Sequence, residues 1–282
     1  MPTPALRNAM TIDVEDYFQV SAFAAHIRPQ DWPGIPGRVE GNVERILALL
    51  EPAGVHATFF TLGWIAERYP AMVRRILAHG HELASHGYAH QRASAQSRAE
   101  FAADVGASKG ILEQIGGQAV LGYRAPSFSI GAANLWALDT LQRAGYRYSS
   151  SIYPIRHDHY GMPDAPRFAC YPNGAGGLLE LPISTVRLWR RNLPAGGGGY
   201  FRLLPYALSR WCLRRINGRD GQAGIFYFHP WELDPDQPRP PGLGVKTRFR
   251  HYLNLRRMEQ RVGALTRDFR WDRIDRIFLG TP

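Results

Sequence analysis

Short apolar runs alternate with amphipathic stretches along the chain, which is the pattern of strands followed by covering helices. Strands are predicted at 9–14, 57–62, 120–124, 146–149, 178–181 and 224–228, and helices at 42–53, 69–79, 98–115, 132–144, 205–216 and 246–269, the last as one helix or a pair. Polar side chains gather where the strands end. Because α/β barrels carry their reactive groups at the C-terminal ends of the strands, this arrangement predicts a closed or nearly closed α/β barrel.

The length of 282 residues and the hydrophobic fraction of 45% fit a single domain spanning 1–282, with a C-terminal extension from about 233 to 282. No apolar run reaches the roughly 20 residues needed to span a bilayer, and residues 1–10 lack the apolar stretch of a secretory signal. Two cysteines occur, Cys170 and Cys212, far apart in the sequence, which favours a reducing compartment. We therefore expect a cytoplasmic location.

The net charge of +10 favours anionic partners, and much of the excess lies late in the chain. No helix-turn-helix, zinc-finger or aromatic RNA-binding motif accompanies the charge, so we expect no nucleic-acid partner. A solvated basic face explains the charge most simply. Contact with an acidic glycan or with the inner face of a membrane is the alternative.

Candidate metal ligands stand in the segment Ser85-His86-Gly87-Tyr88-Ala89-His90. Histidines four residues apart share one face of a helical turn and can bind one metal ion together. A hydrolytic zinc site needs a third protein ligand, commonly a carboxylate, and an open position for water. Asp13, Glu15 and Asp16 stand at the end of the first strand. In an extended strand Asp13 and Glu15 point to the same side, so one can bind metal while the other takes the proton of a water.

Two further polar residues follow apolar strands. His229 comes directly after 224–228, where an imidazole is well placed to protonate a leaving amine. Arg124 ends the strand at 120–124, and its guanidinium can hold Asp13 ionised through a bidentate contact.

Five segments occur in the order in which the polysaccharide deacetylases of carbohydrate esterase family four carry theirs: TIDVED at 11–16, Thr58-Phe59-Phe60, GHELASHGYAH at 80–90, Tyr123-Arg124-Ala125-Pro126, and Phe228-His229. The chain therefore resembles this family, which includes chitin and peptidoglycan deacetylases and the nodulation chitooligosaccharide deacetylase. The segments Tyr200-Phe201-Arg202 and HYLN at 251–254 resemble the deacetylases encoded beside exosortase systems for exopolysaccharide export. The resemblance implies a distorted (β/α) barrel with fewer than eight strands.

The resemblance also implies a role for each matching residue. Asp13 is the general base, His86 and His90 are metal ligands, Arg124 supports the base, and His229 is the general acid. Pro126 and Ser127 contact the substrate, with the backbone amide of Ser127 holding the oxyanion. Tyr153 and Trp231 are candidates for stacking on sugar rings.

The chain departs from the family pattern in two places. Asp-Val-Glu-Asp replaces the usual adjacent pair of aspartates. We expect Glu15 to be the metal carboxylate because it shares a face with Asp13, with Asp16 as the alternate if the strand ends early. Ser149 stands where relatives tend to carry an aspartate, which removes an acid from any charge relay.

Together these residues predict Zn²⁺-dependent, or other divalent-metal-dependent, removal of N-acetyl groups from the amino sugars of a bacterial polysaccharide or its precursor, with release of acetate. One alternative keeps the site and changes the substrate to a small cyclic amide, as in allantoinase-like relatives. Another is a non-catalytic glycan-binding module with a decayed site.

Overall fold

A curled, mostly parallel sheet lies at the centre of the molecule. The computed structural model describes residues 6–158 and 160–281. The strands are β1 (Asn8–Val14), β2 (Thr58–Thr61), β3 (Glu82–Ser85), β4 (Gly122–Tyr123), β5 (Tyr148–Ser149), β6 (Leu179–Glu180), β7 (Thr185–Leu188), β8 (Arg191–Pro194), β9 (Ile225–Phe228) and β10 (Trp271–Asp272). Seven parallel strands follow the order β9-β1-β2-β3-β4-β5-β6, and the two-residue β10 pairs with the start of β1. The predicted barrel type is confirmed as a half-barrel of seven strands, to which β10 adds an eighth.

Helices pack on the outside of this sheet. They are α1 (Val39–Leu50), α2 (Gly63–Arg68), α3 (Pro70–Ala78), α4 (Arg98–Gly116), α5 (Trp136–Arg143), α6 (Gly198–Leu203), α7 (Tyr206–Gly218), α8 (Val245–Tyr252) and α9 (Met258–Asp268). Within the described ranges, every helix is too short or too polar to cross a membrane.

The alternation of side chains along β1 separates the core from the site. Met10 and Ile12 are fully buried in the apolar cluster that also holds Ile46 of α1. Thr11 and Asp13 point to the other side, where both contact a buried arginine. Successive strand residues face opposite sides of a sheet, so one strand contributes both to the core and to a polar cluster at its carboxyl end.

Most predicted elements exist with ends shifted by a few residues, and the terminal segment is the helix pair α8 and α9. The sequence did not predict β3, α2, β10, the hairpin β7–β8 or α6. The antiparallel hairpin β7–β8 occupies 185–194, and α6 begins inside the glycine run at 196–199. The single-domain boundaries remain a prediction, although β9 and β10 from the late part of the chain pair with β1 from its start.

Candidate metal centre and active site

The carboxyl ends of β1 and β3 bring Glu15, His86 and His90 together. One ligand atom from each of the three lies within 4.8 Å of the other two. Glu15 Oε2 and His90 Nε2 are 2.7 Å apart. His86 Nδ1 lies 2.8 Å from the carbonyl oxygen of Arg124, so the proton sits on Nδ1 and Nε2 keeps its lone pair for a metal.

The spacing of the two histidines predicted a shared helical turn, and this prediction is wrong. Residues 86–90 form a loop after β3, in which Gly87 has φ +77° and His90 has φ +53°. The positive φ values turn the chain back on itself. The loop, rather than a helix face, brings the two rings to a centroid distance of 5.4 Å.

The three side chains fit a divalent cation. Glu15 Oε2 is buried and has no well-directed hydrogen bond from any described residue. A cation between this oxygen and the facing imidazole nitrogens would satisfy all of them. One carboxylate with two imidazoles is a donor set used by catalytic zinc sites, which keep a further position open for water.

Asp16 lies outside this group, which corrects its place as the alternate ligand. Its Oδ2 accepts hydrogen bonds from the backbone N–H groups of Arg38 and Val39 at 2.6 and 3.0 Å, and its Oδ1 accepts one from Tyr17. These contacts place the carboxylate at the start of α1, where negative charge is favourable.

Trp231 orients the metal carboxylate. Its Nε1 donates a hydrogen bond of 3.0 Å to Glu15 Oε1. Its ring is stacked between the imidazoles of His229 and His251, at centroid distances of 5.1 and 4.2 Å. Both faces are therefore covered, and Trp231 does not serve as the sugar-stacking platform predicted for it.

Arg124 holds Asp13, the predicted general base, in place through a hydrogen bond. The fully buried guanidinium donates one hydrogen bond of 2.6 Å from Nη1 to Asp13 Oδ1. The expected bidentate contact does not form, because the other N–H groups bond to Ser150 and Nη1 also contacts Thr11. Asp13 Oδ2 is left facing His229 Nε2 at 4.0 Å.

A carboxylate that the sequence reasoning missed holds His229. Glu232 Oε1 lies 2.7 Å from His229 Nδ1 and also accepts the His229 backbone N–H. Arg202 of α6 donates from Nε to Glu232 Oε2 at 2.6 Å. This chain of contacts points His229 Nε2 toward the carboxylates of Asp13 and Glu15. The one sequence signal was an acid three residues after the histidine.

Burial and neighbouring charges shift the pKa values of three groups in the site. Burial alone would lower the pKa of His229, but its hydrogen bond to Glu232 and the nearby Glu15 raise it to about 9. Burial alone would raise the pKa of Glu15, but His90 and the other imidazoles hold it well below its usual range. For His86, burial dominates and lowers the pKa to about 4.

A cavity of about 490 Å³ opens above these groups, with Asp13, Glu15, His86, His90 and His229 in its wall. Ser127 also lines it, in the left-handed region with φ +55°, and its Oγ lies 2.7 Å from Ser21 Oγ.

Two predicted substrate contacts are wrong. Pro126 is buried and is absent from the cavity wall. Tyr153 is fully buried, with its ring packed against Phe128 at 5.5 Å and Tyr160 at 6.0 Å. Neither side chain lines the cavity in which a sugar would bind.

The serine that replaces a family aspartate lies beside another acid. Ser149 of β5 pairs in register with Glu180 of β6. Both are fully buried, and Glu180 Oε1 accepts the backbone N–H groups of Ser151 and Ile152 at 2.8 Å. The carboxylate that contacts His229 is that of Glu232. The serine at position 149 therefore does not deprive the His229 imidazole of an acidic partner.

This geometry agrees with the family comparisons. Residues 31–149 match the polysaccharide deacetylase family model, and residues 150–279 match a domain of unknown function, DUF3473, found in the exosortase-associated subgroup. Residues 31–149 therefore form a polysaccharide deacetylase domain. Members are generally metal-dependent, in keeping with the triad of Glu15, His86 and His90.

Similar proteins include a peptidoglycan-N-acetylglucosamine deacetylase of Bacillus cereus, which is 34% identical over 82 residues, 29% of this chain and 30% of that protein. The match thus spans less than a third of that relative. A putative polysaccharide deacetylase of Mycobacterium smegmatis has a TM-score of 0.60 at 21% identity, over 94% of this chain and 86% of that one. A family-four pseudoenzyme of Bacillus anthracis has a TM-score of 0.53 at 13% identity, over 97% and 66%. The last two establish the fold alone.

Proposed function

We propose that this protein is a metal-dependent deacetylase that removes N-acetyl groups from the amino sugars of a bacterial polysaccharide or its precursor. The observation that carries the proposal is the convergence of a base and an acid on one metal-binding triad. Asp13 Oδ2 and Glu15 Oε1 lie 4.0 and 3.7 Å from His229 Nε2, at the wall of one cavity.

The residues divide the reaction between them. A bound divalent metal, Zn²⁺ in our proposal, would polarise the acetamide carbonyl and acidify a water. Asp13, held by Arg124, accepts the proton of that water as its oxygen bonds to the carbonyl carbon. His229 Nε2 gives a proton to the amide nitrogen as the carbon–nitrogen bond breaks, and the backbone amide of Ser127 stabilises the oxyanion. Water and the amide become acetate and a free amino sugar.

The rim of the cavity favours a glycan over a small cyclic amide. Lys246 and Arg250 line the cavity with side chains that are 70% and 49% exposed. A small ring is usually enclosed, whereas a polymer needs an open entrance. The cytoplasmic location predicted from the sequence is part of the same proposal.

Acetate release from N-acetylglucosamine oligomers tests the proposal. We expect release by the wild type, and a fall of at least about 100-fold in Asp13→Asn and His86→Ala, because general-base and metal functions each contribute that much or more. Asp31→Asn is the matched control, since the Asp31 side chain is half-buried at the surface and its ion pair among the described residues is with Arg28.

Three results would contradict the proposal. Equal activity in the wild type and both site variants would remove the mechanism. Oligomer binding without acetate release would favour the non-catalytic module. Hydrolysis of allantoin in place of the oligomers would favour the cyclic-amide alternative.

A further inference from the structure

The turn of the hairpin β7–β8 places a tryptophan in solvent. Trp189 is 95% exposed, and Trp189 and Arg190 form the two-residue turn with φ +43° and +68°. Turns of this geometry normally take Asn-Gly, because positive φ is costly for larger residues. Backbone strain and an exposed indole therefore occur at the same position. Because both features are unfavourable for an isolated protein, their coincidence favours a role for the tip in an interaction.

Arginines surround this tryptophan. Arg187, Arg190 and Arg191 are exposed on the hairpin and line one cleft with Arg156. Among the described residues none of these four forms an ion pair with a carboxylate within 4.0 Å, and Asp164 is the sole acid in the cleft wall. We call Arg187, Trp189, Arg190, Arg191 and the 44%-exposed Leu193 the hairpin patch.

A second apolar and basic surface adjoins the first. Val245 and Phe249 are 85% and 57% exposed and lie four residues apart on α8, so they share one face of the helix. Lys246 and Arg250 flank them, and Leu203 of α6 is 49% exposed in the same cleft as Phe249. These five residues form the helix patch.

The two patches meet beside the active site. Tyr200 lines both the arginine cleft and the cleft of the helix patch. The latter shares Tyr160, Lys246 and Arg250 with the catalytic cavity. A surface that contacts both patches would therefore hold the mouth of the cavity close to itself.

We propose that the hairpin patch and the helix patch dock this protein on an anionic lipid bilayer. Exposed tryptophan with neighbouring arginines suits the boundary between headgroups and acyl chains, where the indole enters and the guanidinium groups contact phosphates. The arginines of the hairpin patch supply most of the complementary positive charge, because Lys246 and Arg250 of the helix patch lie 3.6 and 3.9 Å from the carboxylate of Asp158. Bilayer binding requires no catalysis, so it can be tested independently of the deacetylase reaction.

Sedimentation with phosphatidylcholine vesicles, with and without phosphatidylglycerol, tests the docking. We expect the full chain to sediment only with the anionic vesicles, and less so at high salt. Trp189→Asn, which suits the positive φ of the turn, and the pair Arg190→Glu with Arg191→Glu should each bind at least about tenfold more weakly, since each basic residue contributes about fivefold near such a surface.

Matched controls separate docking from general effects. The pair Arg143→Glu with Arg147→Glu changes charge equally in and after α5, and Tyr171→Asn removes a ring that is 53% exposed. Both should bind as the wild type does, and Trp189→Asn should keep wild-type activity on soluble oligomers.

Three outcomes would overturn the docking proposal. The first is a wild type that does not sediment with anionic vesicles. The second is equal binding by the patch variants and the controls. The third is binding that depends on the arginines but not on Trp189 and is displaced by a soluble acidic polysaccharide, which would show that the surface binds a polyanion and not a bilayer.

Discussion

Asp13 near the end of β1 and Glu15 just beyond it acquire different roles from their partners. Asp13 is held by a buried arginine and faces His229, whereas Glu15 faces His90 and receives the indole N–H of Trp231. An arginine contact orients a carboxylate through a charge-assisted hydrogen bond, which suits a base, and imidazole partners suit a metal ligand. Position alone allowed either assignment, and the contacts separate them.

Glu232 should matter for the rate more than for substrate binding. Glu232→Gln removes the charge that orients and stabilises the His229 imidazolium through a 2.7 Å contact. We expect kcat to fall by about 10- to 100-fold with little change in KM. The measurement is steady-state acetate release, with Glu259→Gln, an exposed acid of α9, as the control. A rise in KM alone would argue against the orienting role.

His81 should make stability depend on pH, away from the site. Burial, with His56, His79 and Arg273 nearby, lowers its pKa to about 3, and its neutral Nδ1 accepts the Ala57 N–H. Because the unfolded imidazole keeps a pKa of about 6.5, falling pH favours the unfolded state between about 6.5 and 3. Relative to neutral pH, this titration lowers the free energy of unfolding by about 2 kcal/mol at about pH 5.

Urea unfolding at neutral pH and at about pH 5 measures this loss. His81→Gln retains an acceptor but cannot titrate, so its stability should depend less steeply on pH than that of the wild type. Identical slopes for the two proteins would show that His81 is not the titrating group.

Among the elements, the hairpin β7–β8 shows most clearly why part of the fold escaped prediction. Its turn has no glycine or asparagine, and the exposed arginines of its strands hide the alternation of apolar residues. Longer elements such as α4 were predictable because local signals agree. Its Ser97 and Glu100 form reciprocal hydrogen bonds at the start, and Gly117 ends it in the left-handed region.

Relieving the turn should stabilise the protein. Trp189→Asn with Arg190→Gly supplies residues that tolerate positive φ, so we expect the free energy of unfolding to rise by roughly 1–2 kcal/mol. Urea unfolding measures the change. Asn192→Gly, on the adjoining strand, is a control that should lower stability. A loss of stability in the turn variant would show that Trp189 contributes native contacts that outweigh the strain.

For the whole molecule, the site joins distant parts of the chain. The ligands and the base come from residues 13–90, while the acid, its carboxylate and Arg202 come from the region that matches DUF3473. Asp13, His86 and His229 could be proposed from the sequence because each stands at the carboxyl end of a strand within a family motif. Arg202 and the role of Trp231 depend on contacts across 30 and 216 residues, which no local pattern specifies.

The most direct test of the account is the metal content of the protein after dialysis against Zn²⁺ and removal of free ions, determined by elemental analysis. We predict one zinc ion per chain in the wild type and in Asp16→Asn, and loss of that ion in Glu15→Ala and in His86→Ala, because the ion depends on the triad. Zinc retained in the triad variants, or absent from the folded wild type, would contradict the convergence on which the proposed reaction depends.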